Sequence, residues 1–136
     1  MGIVVDSGVF IRWERNGRDF DFSKWTLFGE PCISVMTVSE LKVGIHRANT
    51  PERRSKRSRF VATVLSSVTV LEIDSAIADI HAGIVAELMK KGTTIGPHDF
   101  WIAATTLKYD YDLLTTNMAE FQRVPKLRLI DYPNNS

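Results

Sequence analysis

Cysteine is almost absent from this sequence, since Cys32 is the only one in 136 residues. A single cysteine cannot form an internal disulfide, and it excludes zinc sites that are built from clustered cysteines. Because Cys32 lies in a short apolar run with Ile33, we expect it to be a buried strand residue. The lack of disulfides fits a reducing compartment, so we predict that the protein is cytoplasmic.

Long hydrophobic runs are missing as well. No apolar run approaches the roughly 18 residues that a membrane span needs. The N-terminus has no basic region followed by a long apolar stretch. We therefore expect neither a signal peptide nor a membrane partner.

The sequence also lacks a large excess of one charge and a phosphate-binding loop. The net charge is +1, with 24% charged residues, so any contact with nucleic acid must come from a local basic patch. No Gly-rich loop of the G-x-G-x-x-G or P-loop type occurs. Its absence argues against a nucleotide cofactor.

The chain does contain an alternation of short apolar runs and segments of helical periodicity. Its length indicates one domain, which we predict to span residues 1–132, with 133–136 as a frayed tail. The apolar runs predict five strands: Ile3–Val5, Cys32–Ser34, Val68–Leu71, Leu113–Thr116 and Leu127–Ile130. Strands that alternate with helices favour βαβ units, and hence an α/β fold with a mostly parallel sheet.

Acidic or amide residues stand where strands end and helices begin. Asp6 closes the first apolar run, Glu40 and Asp99 open apolar helical segments, and Asn117 follows the fourth run. In a parallel sheet, ligands bind outside the carboxyl ends of the strands. Oxygen ligands gathered there suit Mg²⁺ or Mn²⁺.

Each of these residues also has a simpler interpretation as a helix cap. Asp6 or its neighbour Ser7 suits an N-cap, and Thr37 with Glu40 has the spacing of a capping box. Pro97 suits the first helical position, which would put Asp99 in the first turn, where it favours the helix dipole. Taken together, however, the carboxylates would repel one another without a counter-cation. Their combination therefore favours a divalent metal that activates water and hydrolyses a phosphate ester, with one or two ions left open.

Four segments, in order along the chain, are similar to motifs of a known family. They are Val4–Val9, Ser34–Leu41, Asp99–Thr105 and Leu114–Leu127. On these segments the chain resembles the PIN-domain ribonucleases, and most closely the VapC-type toxins of type II toxin–antitoxin pairs. The resemblance implies a PIN-like α/β/α sandwich around a mostly parallel central sheet of about five strands.

The resemblance also implies an activity and partners. Members of the family use Mg²⁺, for which Mn²⁺ can substitute, to cut RNA. VapC-type toxins act on tRNA or ribosomal RNA to block translation, are neutralised by a cognate antitoxin and usually form homodimers. Carried over to this chain, Asp6 and Asp99 would be the main metal ligands and catalytic residues. Glu40 would be a third ligand or would hold a metal-bound water.

Secondary candidates follow from the same motifs. Ser7 or Thr115 would orient phosphate or water. The fourth motif often carries another acid, and here its first candidate is the uncharged Asn117. Glu120 either supplies the missing carboxylate or faces away as a helix-start residue.

One dense basic run is present, and it includes Arg53, Arg54 and Arg57. These arginines are candidates for contact with RNA phosphates or with an acidic partner segment. The alternative is the solvated face of a helix.

Two other functions compete with the nuclease. A phosphohydrolase with Asp6 as covalent nucleophile is one, although such sites generally carry a second acid two residues on, where this chain has Gly8. The other is an interaction module that keeps the fold without turnover, which the neutral Asn117 favours.

Overall fold

The fold is a parallel sheet between two layers of helices. The computed structural model describes residues 1–17 and 20–132, so the predicted frayed tail at 133–136 lies outside the described residues. The sheet has the strand order β3-β2-β1-β4-β5, and each recorded strand pair is parallel. Its strands are β1 Gly2–Val5, β2 Glu30–Ser34, β3 Thr69–Leu71, β4 Asp112–Thr115 and β5 Arg128–Asp131.

The helices connect these strands, as the alternating pattern predicts. They are α1 Ser7–Arg15, a 3₁₀ helix Ser23–Phe28, α2 Val35–Arg47, α3 Pro51–Ser67, α4 Ser75–Lys90, α5 Pro97–Tyr109 and α6 Met118–Phe121. Among the described residues, none of the helices combines the length and the apolarity needed to cross a membrane. The helix start considered at Glu120 belongs to α6, whose extent the sequence did not show because four residues are too few for a helical period.

Two hydrophobic cores cover the two faces of the sheet, because successive strand side chains point to opposite faces. In β1, Ile3 and Val5 pack in a core with α1 and α3, while Val4 packs in a core with α4 and α5. Cys32 is buried, as predicted. The predicted α/β/α sandwich is confirmed.

The strand order places a switch point beside β1. The chain passes from β1 to β2 and β3 on one side of the sheet, and then returns to form β4 and β5 on the other. The carboxyl ends of β1 and β4 therefore lie next to each other, with Val5 paired to Leu114. Ligands of open α/β sheets bind in such a crevice, outside the carboxyl ends of the strands.

Two of the helices that border this crevice are capped by the last residues before them. Asp6 caps α1 by accepting a hydrogen bond from the Ser7 amide, and Ser34 caps α2 by accepting one from the Met36 amide. The predicted capping box at Thr37 and Glu40 is therefore wrong. Because Ser34 caps the helix directly at the end of β2, α2 begins earlier and Glu40 lies in its second turn.

Candidate active site

Asp6 is the most deeply placed acid at the carboxyl edge of the sheet. It is 6% exposed. Its Oδ1 accepts a hydrogen bond from the Ser7 amide at 2.9 Å, and its Oδ2 accepts one from Thr115 Oγ1 at 2.9 Å. Burial raises the pKa of Asp6, and the bonds from Thr115 and Ser7 offset part of that rise. The hydroxyl of Thr115 also accepts a hydrogen bond from the backbone amide of Asn117 at 2.9 Å. Both hydrogen bonds hold the Thr115 side chain in the position that orients Asp6.

Glu40 reaches the same place from the second turn of α2. Its Oε1 is buried and has no hydrogen-bond partner among the described residues. Burial raises the pKa of Glu40, and the Asp6 carboxylate raises it further, while His98 and the Ser7 hydroxyl partly offset these effects. His98 Nδ1 lies 3.9 Å from Glu40 Oε2. An unpaired, partly buried carboxylate oxygen is costly unless a cation or a proton joins it.

Asp99 lies in the first turn of α5, as the Pro97 position predicts. Burial raises its pKa to about 7, with further contributions from the carboxylates of Asp6, Glu120 and Glu40. These couplings place Asp99 within electrostatic reach of the other three acids. The structure therefore brings together Asp6, Glu40 and Asp99, the three residues that the sequence favoured.

Glu120 is the fourth acid of the cluster, and Asn117 holds it. Asn117 makes no side-chain cap bond to α6. Its Nδ2 instead donates to Glu120 Oε2 at 2.6 Å. Glu120 Oε1 accepts a hydrogen bond from the backbone amide of Gly96. The alternative in which Glu120 faces away is therefore wrong, because its carboxylate points towards Gly96 and Asp99.

The donor set suits a hard divalent cation. Carboxylate oxygens are the preferred ligands of Mg²⁺ and Mn²⁺, and Glu40 Oε1 has no hydrogen-bond partner in the described part of the chain. Within residues 1–17 and 20–132, no three His, Cys, Asp or Glu side chains are arranged so that they could hold an ion. An ion here would therefore take fewer direct ligands and keep several waters, as Mg²⁺ usually does.

A groove between α1, α2 and α3 is lined by one acid of the cluster, Glu40. It has a volume of about 450 Å³, and Glu40 lies on its wall together with Glu14, Arg15, Arg47 and Arg57. A second depression adjoins it on the side of α3, where Arg53 and Lys56 contribute to the lining. The basic run of α3 thus borders a surface that extends from Glu40 to Arg53 and Lys56.

The three arginines named from the sequence also have local partners. Arg53 donates to Asn49 Oδ1 at 2.8 Å, Arg54 to the Ala48 carbonyl at 3.1 Å, and Arg57 to the Gly44 carbonyl at 3.1 Å. Arg54 and Arg57 therefore secure the last turn of α2 against α3, where carbonyls lack helical partners. Arg57 also pairs with Glu14 at 3.2 Å.

The sequence did not single out Gly96 as part of the site. Gly96 and Pro97 indicate a helix start, but nothing local shows that the Gly96 amide bonds a carboxylate 24 positions away. The one signal in the sequence was that Gly96 stands three positions before Asp99. That spacing indicates only where α5 begins.

Comparison with known proteins assigns the chain to a family. A family model described as the PIN domain matches residues 3–127. The chain is 33% identical to Ribonuclease VapC of Rickettsia bellii over 133 residues, which are 98% of each protein. It is 38% identical over 102 residues to the tRNA(fMet)-specific endonuclease VapC of Salmonella typhimurium, which are 74% of each protein.

Solved structures agree with this assignment. The DNA-bound VapBC of Salmonella typhimurium matches with a TM-score of 0.85 at 28% identity, covering 96% of this chain and 98% of the other. VapBC2 of Rickettsia felis, bound to a DNA fragment from the promoter, matches with a TM-score of 0.87 over 98% of this chain and 100% of the other. At 20% identity the second match shows the fold alone. With its acid cluster at the carboxyl edge of the sheet, the chain belongs to the PIN-domain family, among its VapC-type members.

Proposed function

We propose that this protein is a Mg²⁺-dependent endoribonuclease that acts as the toxin of a toxin–antitoxin pair. It cuts tRNA or ribosomal RNA and so blocks translation, and a cognate antitoxin holds it inactive. The relatives named ribonuclease or tRNA(fMet)-specific endonuclease support the activity. The observation that carries the proposal is the convergence of Asp6, Glu40 and Asp99, whose pKa values are all raised by burial and by the charge of a neighbouring carboxylate.

The residues divide the chemistry as follows. Asp6 and Asp99 would hold Mg²⁺, and Glu40 would bind it or its water through the unpaired Oε1. When bound, Mg²⁺ lowers the pKa of water and stabilises negative charge on the phosphate. Thr115 fixes the Asp6 carboxylate by its hydrogen bond to Oδ2. Ser7, which is also buried, holds the other oxygen of Asp6 with its backbone amide.

The RNA strand follows the basic groove from the acids towards α3. Among the cations beside the second depression, Arg15, Arg53 and Lys56 are exposed. Phosphates account for most of the affinity of a protein for nucleic acid, through release of counterions. Arg57 is partly neutralised by Glu14, so Arg15, Arg53 and Lys56 are expected to carry more of this contact.

The partners follow from the relatives. Solved neighbours such as VapBC of Salmonella typhimurium are complexes of the VapBC type, and this supports a cognate antitoxin for the present chain. The homodimer that the resemblance implies and the cytoplasmic location expected from the single cysteine stay predictions. Light scattering of the purified protein during size-exclusion chromatography tests the homodimer.

Cleavage by purified variants tests the proposed function. Wild type is incubated with total bacterial RNA in Mg²⁺ or in EDTA, beside Asp6→Asn, Asp99→Asn and the matched control Asp79→Asn on the exposed face of α4. New 5′ ends are mapped by sequencing. We expect discrete ends that carry 5′-phosphate, are lost in EDTA, and fall by about 100-fold or more in the first two variants only.

Two results would contradict the proposal. Cleavage that persists in EDTA would remove the metal from the mechanism. Growth arrest by wild type without new ends, equally strong in Asp99→Asn, would favour the interaction module that keeps the fold without turnover.

A further inference from the structure

Helix α5, which carries Asp99, begins without a cap of its own. Gly96 is its N-cap residue and makes no side-chain cap bond. Counting from Gly96, Pro97 is the first helical residue and Asp99 the third. A carboxylate in the third position ordinarily reaches back to the N-cap amide, as in a capping box. In this protein Glu120 accepts the hydrogen bond of that amide instead.

Asp99 lies close enough to compete for the same amide. A Cβ built on Gly96 would lie 3.2 Å from Asp99 Oδ2 and 3.5 Å from Glu120 Oε1. The two carboxylates therefore flank one residue, and only Glu120 bonds its N–H. Asp99 is hydrogen-bonded to none of the residues that the structure describes, and the carboxylates of Asp6, Glu120 and Glu40 lie near enough to raise its pKa.

Glu120 is itself held in this position by its neighbours. Asn117 Nδ2 donates to Glu120 Oε2 at 2.6 Å, so each oxygen of Glu120 already accepts a hydrogen bond. Arg123 Nη1 donates to the Thr94 carbonyl at 2.7 Å and ties the loop before Gly96 to the chain after α6. A carboxylate with both oxygens engaged by the protein is better placed to orient its surroundings than to bind an ion directly.

We propose that Glu120 is a positioning residue that occupies the N-cap amide of α5 and thereby keeps the Asp99 carboxylate turned towards Asp6 and Glu40. Asn117 has a supporting role, because it fixes the rotamer of Glu120. Without Glu120, Asp99 folds back on Gly96 and leaves the metal site. The inference rests on the proposed metal site, but its first test needs neither metal nor RNA.

The first test is a double-mutant cycle on thermal stability in EDTA at pH 8. The four proteins are wild type, Asp99→Ala, Glu120→Ala and the double variant. With Glu120 present, Asp99→Ala removes a repelled charge, and Tm is unchanged or rises. With Ala at position 120, Asp99 caps the helix, so its removal lowers Tm by about 4 °C. An equal effect of Asp99→Ala in both backgrounds would overturn the proposal. If Glu120→Ala does not fold, Glu120→Met preserves the volume and serves in the same cycle.

The second test measures Mn²⁺ affinity by electron paramagnetic resonance of the free ion. Glu120→Gln and Glu120→Ala both lack the charge, but only the glutamine can still accept from the Gly96 amide. We expect the affinity of Glu120→Gln for Mn²⁺ to be about tenfold or more above that of Glu120→Ala. Equal affinities would contradict the positioning role. Arg123→Ala is the matched control, because it frees the same loop at Thr94 and leaves the Gly96 bond in place.

The two tests separate this inference from the proposed function. If wild type binds no Mn²⁺ and cuts no RNA, the metal-dependent nuclease is wrong, whatever the stability cycle shows. If wild type binds Mn²⁺ and cuts RNA while the stability cycle shows no coupling, the nuclease stands and Glu120 does not position Asp99.

Discussion

Thr115 at the end of β4 donates a hydrogen bond to Asp6 Oδ2 at 2.9 Å, across the central pair of strands. Both side chains are buried. The same hydroxyl accepts from the Asn117 amide, so a chain of hydrogen bonds runs from the start of α6 to the acid that ends β1. The hydrogen bond lowers the pKa of Asp6, so the charge of this acid depends on Thr115, a neutral residue of another strand.

Thr115→Val is expected to impair both folding and cleavage. The substitution leaves an oxygen of a buried carboxylate without its donor, so the free energy of unfolding falls by about 1–3 kcal/mol. The pKa of Asp6 rises further above its usual value, because a hydrogen bond to the charged form is lost. On acidification, the cleavage rate of Thr115→Val should therefore begin to fall at a higher pH than that of wild type, as a pH–rate profile measures.

Thr106→Val is the matched control for this experiment. Thr106 is equally buried, but its hydroxyl donates to the Ile102 carbonyl at 2.8 Å within α5. It is expected to change stability without moving the pH dependence. A pH–rate profile of Thr115→Val that coincides with that of Thr106→Val would contradict the role given to Thr115.

The stability of the metal-free protein is expected to depend on pH through Asp99. Burial and the neighbouring acids raise the pKa of Asp99 from 3.8 to about 7. Between these values the folded state binds a proton that the unfolded chain has lost, so stability falls as pH rises from about 4 to about 7. Asp6 and Glu40 act in the same direction, since their pKa values are also raised.

Thermal melts in EDTA across this range measure the effect. Asp99→Asn should flatten the fall in Tm, and Mg²⁺ added at pH 7 should raise the Tm of wild type more than that of the variant. Asp79→Asn, at an exposed position on α4, should leave the curve unchanged. If the difference in Tm between wild type and Asp99→Asn stays constant from pH 4 to pH 7, the pKa of Asp99 is not raised in the folded protein.

Loss of Arg53 or Lys56 is expected to weaken RNA binding in a salt-dependent way. Both residues line the depression beside the basic groove. If each contacts one phosphate of a single strand, each alanine variant lowers the slope of log K against log salt by about 0.7. Filter binding at several salt concentrations, with the inactive Asp99→Asn protein as background, gives the slope.

Arg59→Ala is the control for this measurement. Arg59 lies on the same helix but bonds Ser55 at 3.0 Å, and it is outside the residues that line the two depressions. Its slope should equal that of the background. If Arg53, Lys56 and Arg59 variants all change affinity equally, the RNA does not follow this groove.

Two glycine substitutions are expected to have opposite effects on stability. A Cβ on Gly8 would overlap Thr116 Oγ1, next to the site at the start of α1. Gly8→Ala should therefore lower the free energy of unfolding by about 1–3 kcal/mol. Gly83 lies inside α4, and none of the described residues has an atom within 4 Å of such a Cβ apart from its own helix and chain neighbours, so Gly83→Ala should raise the free energy of unfolding by about 0.5–1 kcal/mol. Urea unfolding measures both changes in the free energy of unfolding. Changes of the same sign would contradict the close contact at Gly8 or the open space at Gly83.

Much of the fold could be predicted because it is written in local periodicity. The strand pattern, the burial of Cys32 and the position of Asp99 after Pro97 depend on neighbours within a few residues, and the structure confirms them. The capping box predicted at Thr37 and Glu40 is wrong, because it too was inferred from local spacing alone. Ser34, at the end of β2, already caps the helix.

The sequence by itself determined the α/β architecture and the acids Asp6, Glu40 and Asp99, because strands and helix starts follow from apolar periods and caps. Only the tertiary structure decided how these acids are supported. Thr115 meets Asp6 across a separation of 109 residues, and Glu120 meets the Gly96 amide across 24. Such pairings depend on strand order and on how α6 packs, and no local pattern encodes them. For that reason the sequence suggested Asn117 as a substitute ligand, while in the structure its side-chain Nδ2 donates to Glu120.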